Sequence, residues 1–98
     1  MDCAVIFSEK ALTDLEGIAT FIATNDPQTA AVFANRLVDL AESLRRLPER
    51  GRPVKRWANV RVIVLAPYLI FYRFEASLNR VEILRFWHGA RDPGILEM

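Results

Sequence analysis

The sequence is poor in the residues that cross-link, coordinate metals or transfer protons. It has one cysteine, Cys3, and one histidine, His88, among 98 residues. A lone cysteine cannot close an internal disulfide, so stability has to come from a packed core. Nothing near Cys3 in the chain would lower its thiol pKa, and it reads as a small buried residue rather than a nucleophile. One His, one Cys and no carboxylates at ligand spacing give no reason to expect a metal or any other cofactor. Gly51 stands alone, so no glycine-rich loop is present to cradle a phosphate. The longest apolar run, Val62 to Tyr72, has 11 residues and is interrupted by Pro67, whereas spanning a bilayer takes roughly 18. No basic region precedes the short apolar stretch near Met1, which argues against a secretory signal. The expected compartment is the cytoplasm, with no membrane contact.

What is present suits one soluble globular domain over residues 1–98. The chain is 52% hydrophobic and 26% charged, a balance typical of folded rather than disordered proteins. A chain this short supports one modest core. The net charge of +1 conceals an asymmetry. Residues 1–50 carry 5 Lys/Arg against 8 Asp/Glu, net −3, and residues 51–98 carry 8 against 4, net +4. Halves of opposite sign suggest two surfaces with different partners, although a short chain can reach such a split without functional cause.

The hydrophobic period changes along the chain. Ala4-Val5-Ile6-Phe7 is long enough for one strand. Ser8 is a good N-cap, and Ala11, Leu12, Leu15, Ile18, Ala19 and Ile22 follow at helical spacing, so a helix is expected over about residues 9–23. Asp14 and Glu16 should lie on its wet side. Asp26 caps a second helix with Pro27 in its first turn, and Ala30, Phe33, Ala34, Leu37, Leu40, Ala41, Leu44 and Leu47 stripe one face to about residue 47. Two helices joined so tightly should form an antiparallel hairpin. Residues 48–51 read as a loop. Residues 60–65, 69–74 and 80–87 are rich in Val, Ile, Leu and aromatics, and turn-length segments separate them, giving an antiparallel meander. The first strand has to join this sheet or leave an exposed edge. The expected fold is α+β, in the order β-α-α-β-β-β, with the helical hairpin on one sheet face.

Four local patterns then resemble the RelE/ParE toxin superfamily, in order and over nearly the whole chain. They are Phe7-Ser8-Glu9-Lys10-Ala11 with Asp14-Leu15 and Ile18; Asn25-Asp26-Pro27 with Ala30, Phe33 and Arg36-Leu37; Leu44, Leu47-Pro48 and Gly51-Arg52-Pro53; and Pro67-Tyr68 with Tyr72-Arg73, Ile83-Leu84 and His88-Gly89-Ala90-Arg91-Asp92. The resemblance implies the toxin half of a type II toxin–antitoxin pair of the kind linked to plasmid stabilisation. It would be held in a hetero-oligomer by a cognate antitoxin and reach operator DNA only through that partner. It also implies an antitoxin helix and strand lying on an open sheet face or edge, where Leu69 and Phe71 would sit.

The superfamily divides by target. RelE-like members cut mRNA on the ribosome, which requires a proton acceptor, a proton donor and cations for the phosphate. Their pattern has an Arg directly after the Tyr of the middle strand, but here Tyr68 is followed by Leu69. It also has a Tyr in the tail, and residues 89–98 contain none. Arg91 does match a basic position of that pattern. The sequence therefore sits closer to the ParE-like branch, whose members resemble one another in poisoning DNA gyrase by binding. The rival is a ribosome-dependent endoribonuclease, and a third reading is an inert module that only occupies an antitoxin. The catalytic candidates are Arg91 and His88, and His88 reads more simply as a strand-end residue bonded to its own turn. The candidate contact set for antitoxin or target is Arg61, Leu69, Phe71, Arg73, Arg85, Trp87 and Arg91. With Lys55, Arg56 and Trp57 these could form a basic, aromatic-lined surface of the kind that binds nucleic acid. They could equally be the charged outward positions of alternating strands. The pI near 7.9 is below the values above about 9 typical of dedicated nucleic-acid binders.

Overall fold

Ser8 ends one element and starts the next. In the computed structural model, which describes residues 2–98, Ala4–Phe7 form strand β1 and Glu9–Ala23 form helix α1. The Ser8 backbone is extended, and its hydroxyl accepts the Ala11 N–H at 3.0 Å, which caps α1. The same hydroxyl donates to the Leu84 carbonyl at 2.9 Å. The helix start is thereby tied to the last strand of the sheet. Asp26 caps helix α2, Pro27–Glu42, through the Thr29 N–H, with Pro27 in the first turn. Along α1 and α2 the residues Ala11, Ala30, Leu37 and Ala41 are buried.

The second helix is shorter than the apolar stripe predicts. It stops at Glu42 and tightens into a single 3₁₀ turn, Ser43–Arg45. Ser43 supplies a reason: its hydroxyl bonds back to the Leu40 carbonyl at 2.6 Å, and Pro48 disfavours helical backbone just before it. Leu44 is fully buried in that turn, but Leu47 lies outside it and is 61% exposed. Leu12, also counted in the apolar stripe, is exposed as well.

The second half forms β2 (Arg52–Pro53), β3 (Val60–Leu65), β4 (Tyr68–Glu75) and β5 (Arg80–His88). The sheet order is β1-β5-β4-β3-β2. β1 joins it parallel to β5, with Ala4 opposite Arg80 and Phe7 opposite Ile83, and the remaining pairs are antiparallel. The meander is as expected. β2 is an addition: two residues beside Arg61 and Val62, too short to carry a period-2 signal. Among the described residues no helix is long and apolar enough to cross a membrane.

The β4–β5 ladder carries an irregularity with consequences for both faces. Phe71 pairs with Arg85 but Tyr72 pairs with Ile83, leaving Leu84 unmatched. One extra residue changes the phase of alternation. Before it, Val81 and Ile83 pack toward the helices; after it, Phe86 does. Leu84 and Trp87 enter a second cluster on the other face, with Val60, Val62, Phe71 and Leu96. A strictly alternating strand would have turned Phe86 away from the helices.

That second face is not bare. Leu96, 1% exposed, covers it from the C-terminal tail, and Trp57 sets its ring edge-on to Phe71 at 6.2 Å between centroids. Body cations hold the tail by its carbonyls: Arg56 donates to Pro93 O, Arg85 to Glu97 O and Lys10 to Met98 O.

The loop after α2 hangs on one phenol. Tyr72, fully buried, accepts the Gly51 N–H and donates to the Pro48 carbonyl, each at 2.8 Å. Arg61, its neighbour across the ladder, donates to the Glu49 and Gly51 carbonyls. A Cβ on Gly51 would lie 2.7 Å from the Tyr72 hydroxyl and 2.9 Å from the Val62 carbonyl, so only glycine fits. Tyr72→Phe strands the buried Gly51 N–H and should cost about 1–3 kcal/mol. Gly51→Ala should cost a similar ~1–3 kcal/mol through overpacking. Urea denaturation of both variants checks this, and a change below the error of that measurement in either would refute it. Burial also pushes the Tyr72 phenol up from its ordinary 10.0. Its contribution to stability is therefore complete below that value and falls as pH rises through the folded-state pKa.

Candidate functional site

The end of β5 and the turn after it hold the sequence's main candidates. His88 closes the strand, and its Nδ1 accepts the Ala90 N–H at 3.0 Å while its carbonyl accepts the Arg91 N–H. Gly89 N–H is bonded to the Pro67 carbonyl, which locks this turn to the β3–β4 connection. The His88 ring stands edge-on to Tyr68 at 5.1 Å. The simpler reading of His88, a residue bonded to its own turn, matches this geometry. Arg91 is exposed and lies flat over Trp87, its guanidinium carbon 3.9 Å from the ring centroid. Such a cation–π contact holds a long side chain in place and leaves its N–H groups free to donate. Among the described residues no carboxylate pairs with it.

Arg85 departs from its expected role as an outward-facing cation. It reaches Asp14 on α1, Nε to Oδ2 at 2.6 Å and Nη2 to Oδ1 at 2.9 Å, a two-pronged contact between side chains about one-seventh exposed. Asp14 Oδ2 also accepts the Phe86 N–H at 3.1 Å. The Asp14 hydrogen bonds push the Arg85 guanidinium pKa up against the lowering effect of burial. Asp14 was expected on the wet side of α1. It is instead the acceptor that satisfies the β5 edge just beyond the end of β1, a role helical periodicity alone cannot disclose.

Of Arg61, Arg73, Arg85 and Arg91 with Lys55 and Arg56, which could form a basic surface or be outward positions of alternating strands, three have partners within the chain. Arg61 lies opposite Tyr72, on the helix side of the sheet, holding the 49–51 loop. Arg85 is tied to Asp14. Arg56 stacks on Trp57 and holds the tail. Phe71, expected on an open face or edge, and Trp87, a further candidate contact, are 6% and 3% exposed in the cluster that holds Trp57 and Leu96. Leu69 and Arg73 remain half-buried, and Arg91 remains exposed.

Periodicity missed a cleft of about 480 Å³ between α1 and the 88–91 turn. Ile18, Tyr68 and Phe86 give it an apolar lining; Asp14 and Phe21 line it from α1, and His88 and Arg91 from the turn. Gly17 opens it, since a Cβ there would meet nothing within 4 Å. The one available signal was Gly17 itself. A helix-interior glycine costs about 1 kcal/mol relative to alanine.

These features can be set beside known proteins. Residues 5–93 match the model for the ParE toxin of type II toxin–antitoxin systems. The chain belongs to the ParE toxin family. Toxin RelE2 of Caulobacter vibrioides is 39% identical over 88 residues, covering 89% of this chain and 96% of that protein. Among solved structures, the chromosomal ParDE toxin–antitoxin system from P. aeruginosa superposes with a TM-score of 0.78 at 22% identity, over 88% of this chain and 95% of that one, which shows the same fold. The toxin–antitoxin complex RelBE2 from Mycobacterium tuberculosis matches with a TM-score of 0.66 at 27% identity, over 90% of this chain and 99% of that one. This ParE-family chain is thus a toxin of a type II toxin–antitoxin system.

The contact that sets the geometry of its β5 edge is testable without any partner. Asp14→Ala should destabilise the toxin by about 1.5–3 kcal/mol, because a charge-assisted pair and the Phe86 N–H lose their acceptor together. The same change made on an Arg85→Ala background should still cost about 1 kcal/mol, since Phe86 remains stranded. Chemical denaturation of the four proteins in that cycle measures both quantities. A near-zero effect of Asp14→Ala, as for a solvent-facing helix residue, would refute the role given to it.

Proposed function

We propose that this toxin acts by binding and poisoning DNA gyrase, without catalysing a reaction itself, and that a cognate antitoxin neutralises it. The carrying observation is the chemistry of the 88–91 turn. RNA cleavage through a 2′-hydroxyl asks for two proton-transfer groups with a cation between them. His88 Nδ1 is already an acceptor for the Ala90 N–H, which leaves one ring nitrogen available. The position after Tyr68 carries Leu69, and the tail offers carbonyls and Leu96 to the body instead of a tyrosine. Arg91, held over Trp87 with its donors free, is well formed for gripping a carboxylate or phosphate on a partner. Leu69 and Arg73 join it as proposed contacts. The match to the ParE family model supports this branch.

A second reading has its own support. The Caulobacter relative and the mycobacterial complex carry RelE-type names, and Arg91 suits a phosphate contact in an endoribonuclease too.

Purified toxin should block supercoiling by gyrase, and its expression without antitoxin should halt growth with induction of the DNA-damage response. Growth arrest with intact DNA and mRNA cut within ribosomes would overturn this reading and favour the second. Arg91→Ala should weaken toxicity more than His88→Ala. The guanidinium can make two directed charged contacts, and their loss at an interface costs about 2–5 kcal/mol, against about 1 for one turn bond. Toxicity is compared at matched soluble expression, with thermal melting as the folding control. Loss of toxicity in His88→Ala alone, with unchanged melting, would promote a catalytic histidine.

A further inference from the structure

The C-terminal segment, residues 93–98, is fastened to the body unlike any other part of the sheet layer. Its backbone bonds, Ile95 N–H to Asp92 O and Leu96 N–H to Pro93 O, stay within its own 3₁₀ turn. Among the described residues no backbone–backbone hydrogen bond joins it to a strand. It is held by one buried side chain, Leu96, and by three exposed side-chain donors, Arg56 to Pro93 O, Arg85 to Glu97 O and Lys10 to Met98 O. A segment with few buried apolar contacts and solvent-exposed hydrogen bonds opens locally, well below the free energy of global unfolding. The seated state also carries a penalty. Trp87 packs in the cluster that Leu96 closes, and its Nε1 is buried with no acceptor among the described residues. Opening that cluster to water supplies one.

One of the three fasteners is shared with α1. Arg85 Nη1 bonds Glu97 O, while its Nε and Nη2 hold Asp14, which also accepts the Phe86 N–H. The same guanidinium lies 5.3 Å from the Trp87 ring centroid, and that of Arg91 lies 3.9 Å from it. Fixing an arginine removes much side-chain entropy. That entropy is lost once for both contacts, so either contact makes the other more favourable.

We propose that residues 93–98 are a strap that lifts while the rest of the fold stays intact, and that Arg85 couples its seating to the Asp14–Phe86 contact on the β5 edge. With the strap seated, Arg85 is fixed, α1 is pinned to β5, and Arg91 rests on a packed ring. With the strap lifted, the guanidinium loses an acceptor, the α1 contact weakens, and the ring under Arg91 loses its cover. The device belongs to the chain alone and holds whichever target the toxin engages.

Hydrogen exchange and NMR relaxation on the full-length chain test it. In the wild-type protein the Trp87 indole N–H should exchange with little dependence on low urea, because lifting the strap exposes little surface, whereas β4 amides in the middle of the sheet should show a steep dependence. Coupling is reciprocal, so it reads in both directions. Leu96→Ala, or the milder Arg56→Ala, should speed local exchange of the Phe86 amide by about 5-fold or more. Asp14→Ala should speed local exchange of the Trp87 indole by a similar ~5-fold or more, although Asp14 bonds nothing in the strap. The Arg91 Nε–H should become more mobile in Leu96→Ala. On an Arg85→Lys background both cross-effects should fall below about 2-fold, since lysine keeps the charge but not the fork of donors. Lys10→Ala cuts the other contact between α1 and the strap and should leave both cross-effects in place. Cross-effects that are absent, that survive Arg85→Lys or that vanish with Lys10→Ala overturn the coupling. A Trp87 indole with the urea dependence of the β4 amides overturns the strap as a separate unit, and an Arg91 as rigid as in the wild type overturns its link to that side chain.

Discussion

Asp14 and the β5 edge constrain each other, and much of the molecule follows from that contact. β1 reaches only as far as Ile83 on β5. Beyond it the strand would present unpaired backbone groups to solvent, the standing weakness of a sheet edge. Ser8 takes the Leu84 carbonyl and Asp14 takes the Phe86 N–H, so α1 covers the edge with side chains where no strand does. This works because Leu84 is unmatched against β4, which places Arg85 where Asp14 can also reach it. The ion pair fixes how α1 lies against β5, and that placement sets the width of the cleft beside His88. Arg85 also donates to the Glu97 carbonyl, so the tail over the second face hangs on the same guanidinium.

The elements most legible in the sequence were those whose signal is local. Ser8 and Asp26 are caps with side chains that bond a specific N–H, and both do so. The order of strands and the helical hairpin followed from the change of period. What stayed illegible depended on residues far apart in the chain. Leu47 belongs to the apolar stripe by spacing, but Ser43 and Pro48 end the helix before it can reach the core. β2 exists because Arg52 and Pro53 pass beside Val62 and Arg61, and two residues carry no period. The phase change at Leu84 cannot be seen in Ile83-Leu84-Arg85-Phe86-Trp87, where apolar residues occupy both phases.

Site residues divide in the same way. His88 bonding its own turn was readable because donor and acceptor are two residues apart. The charged residues were not, since a guanidinium's role depends on which carbonyl or carboxylate the fold brings to it. Arg61, Arg56 and Arg85 each donate to the chain's own groups. Residues 51–98 carry a net +4, and among their described cations Arg56, Arg61 and Arg85 donate to main-chain carbonyls.

Arg91 differs in that a ring is its side chain's one partner within the described residues. A carboxylate partner would have used up its donors, whereas a contact with the Trp87 face does not occupy the N–H groups. Trp87 is buried beside Leu84 and Leu96 in the second cluster, so the ring that carries the arginine is set by core packing. The covered second face thus carries the ring on which the exposed arginine rests. An aromatic platform rooted in a core, with the Arg91 and Arg85 guanidinium carbons 3.9 and 5.3 Å from its centroid, ties the short C-terminal turn to the body of the sheet.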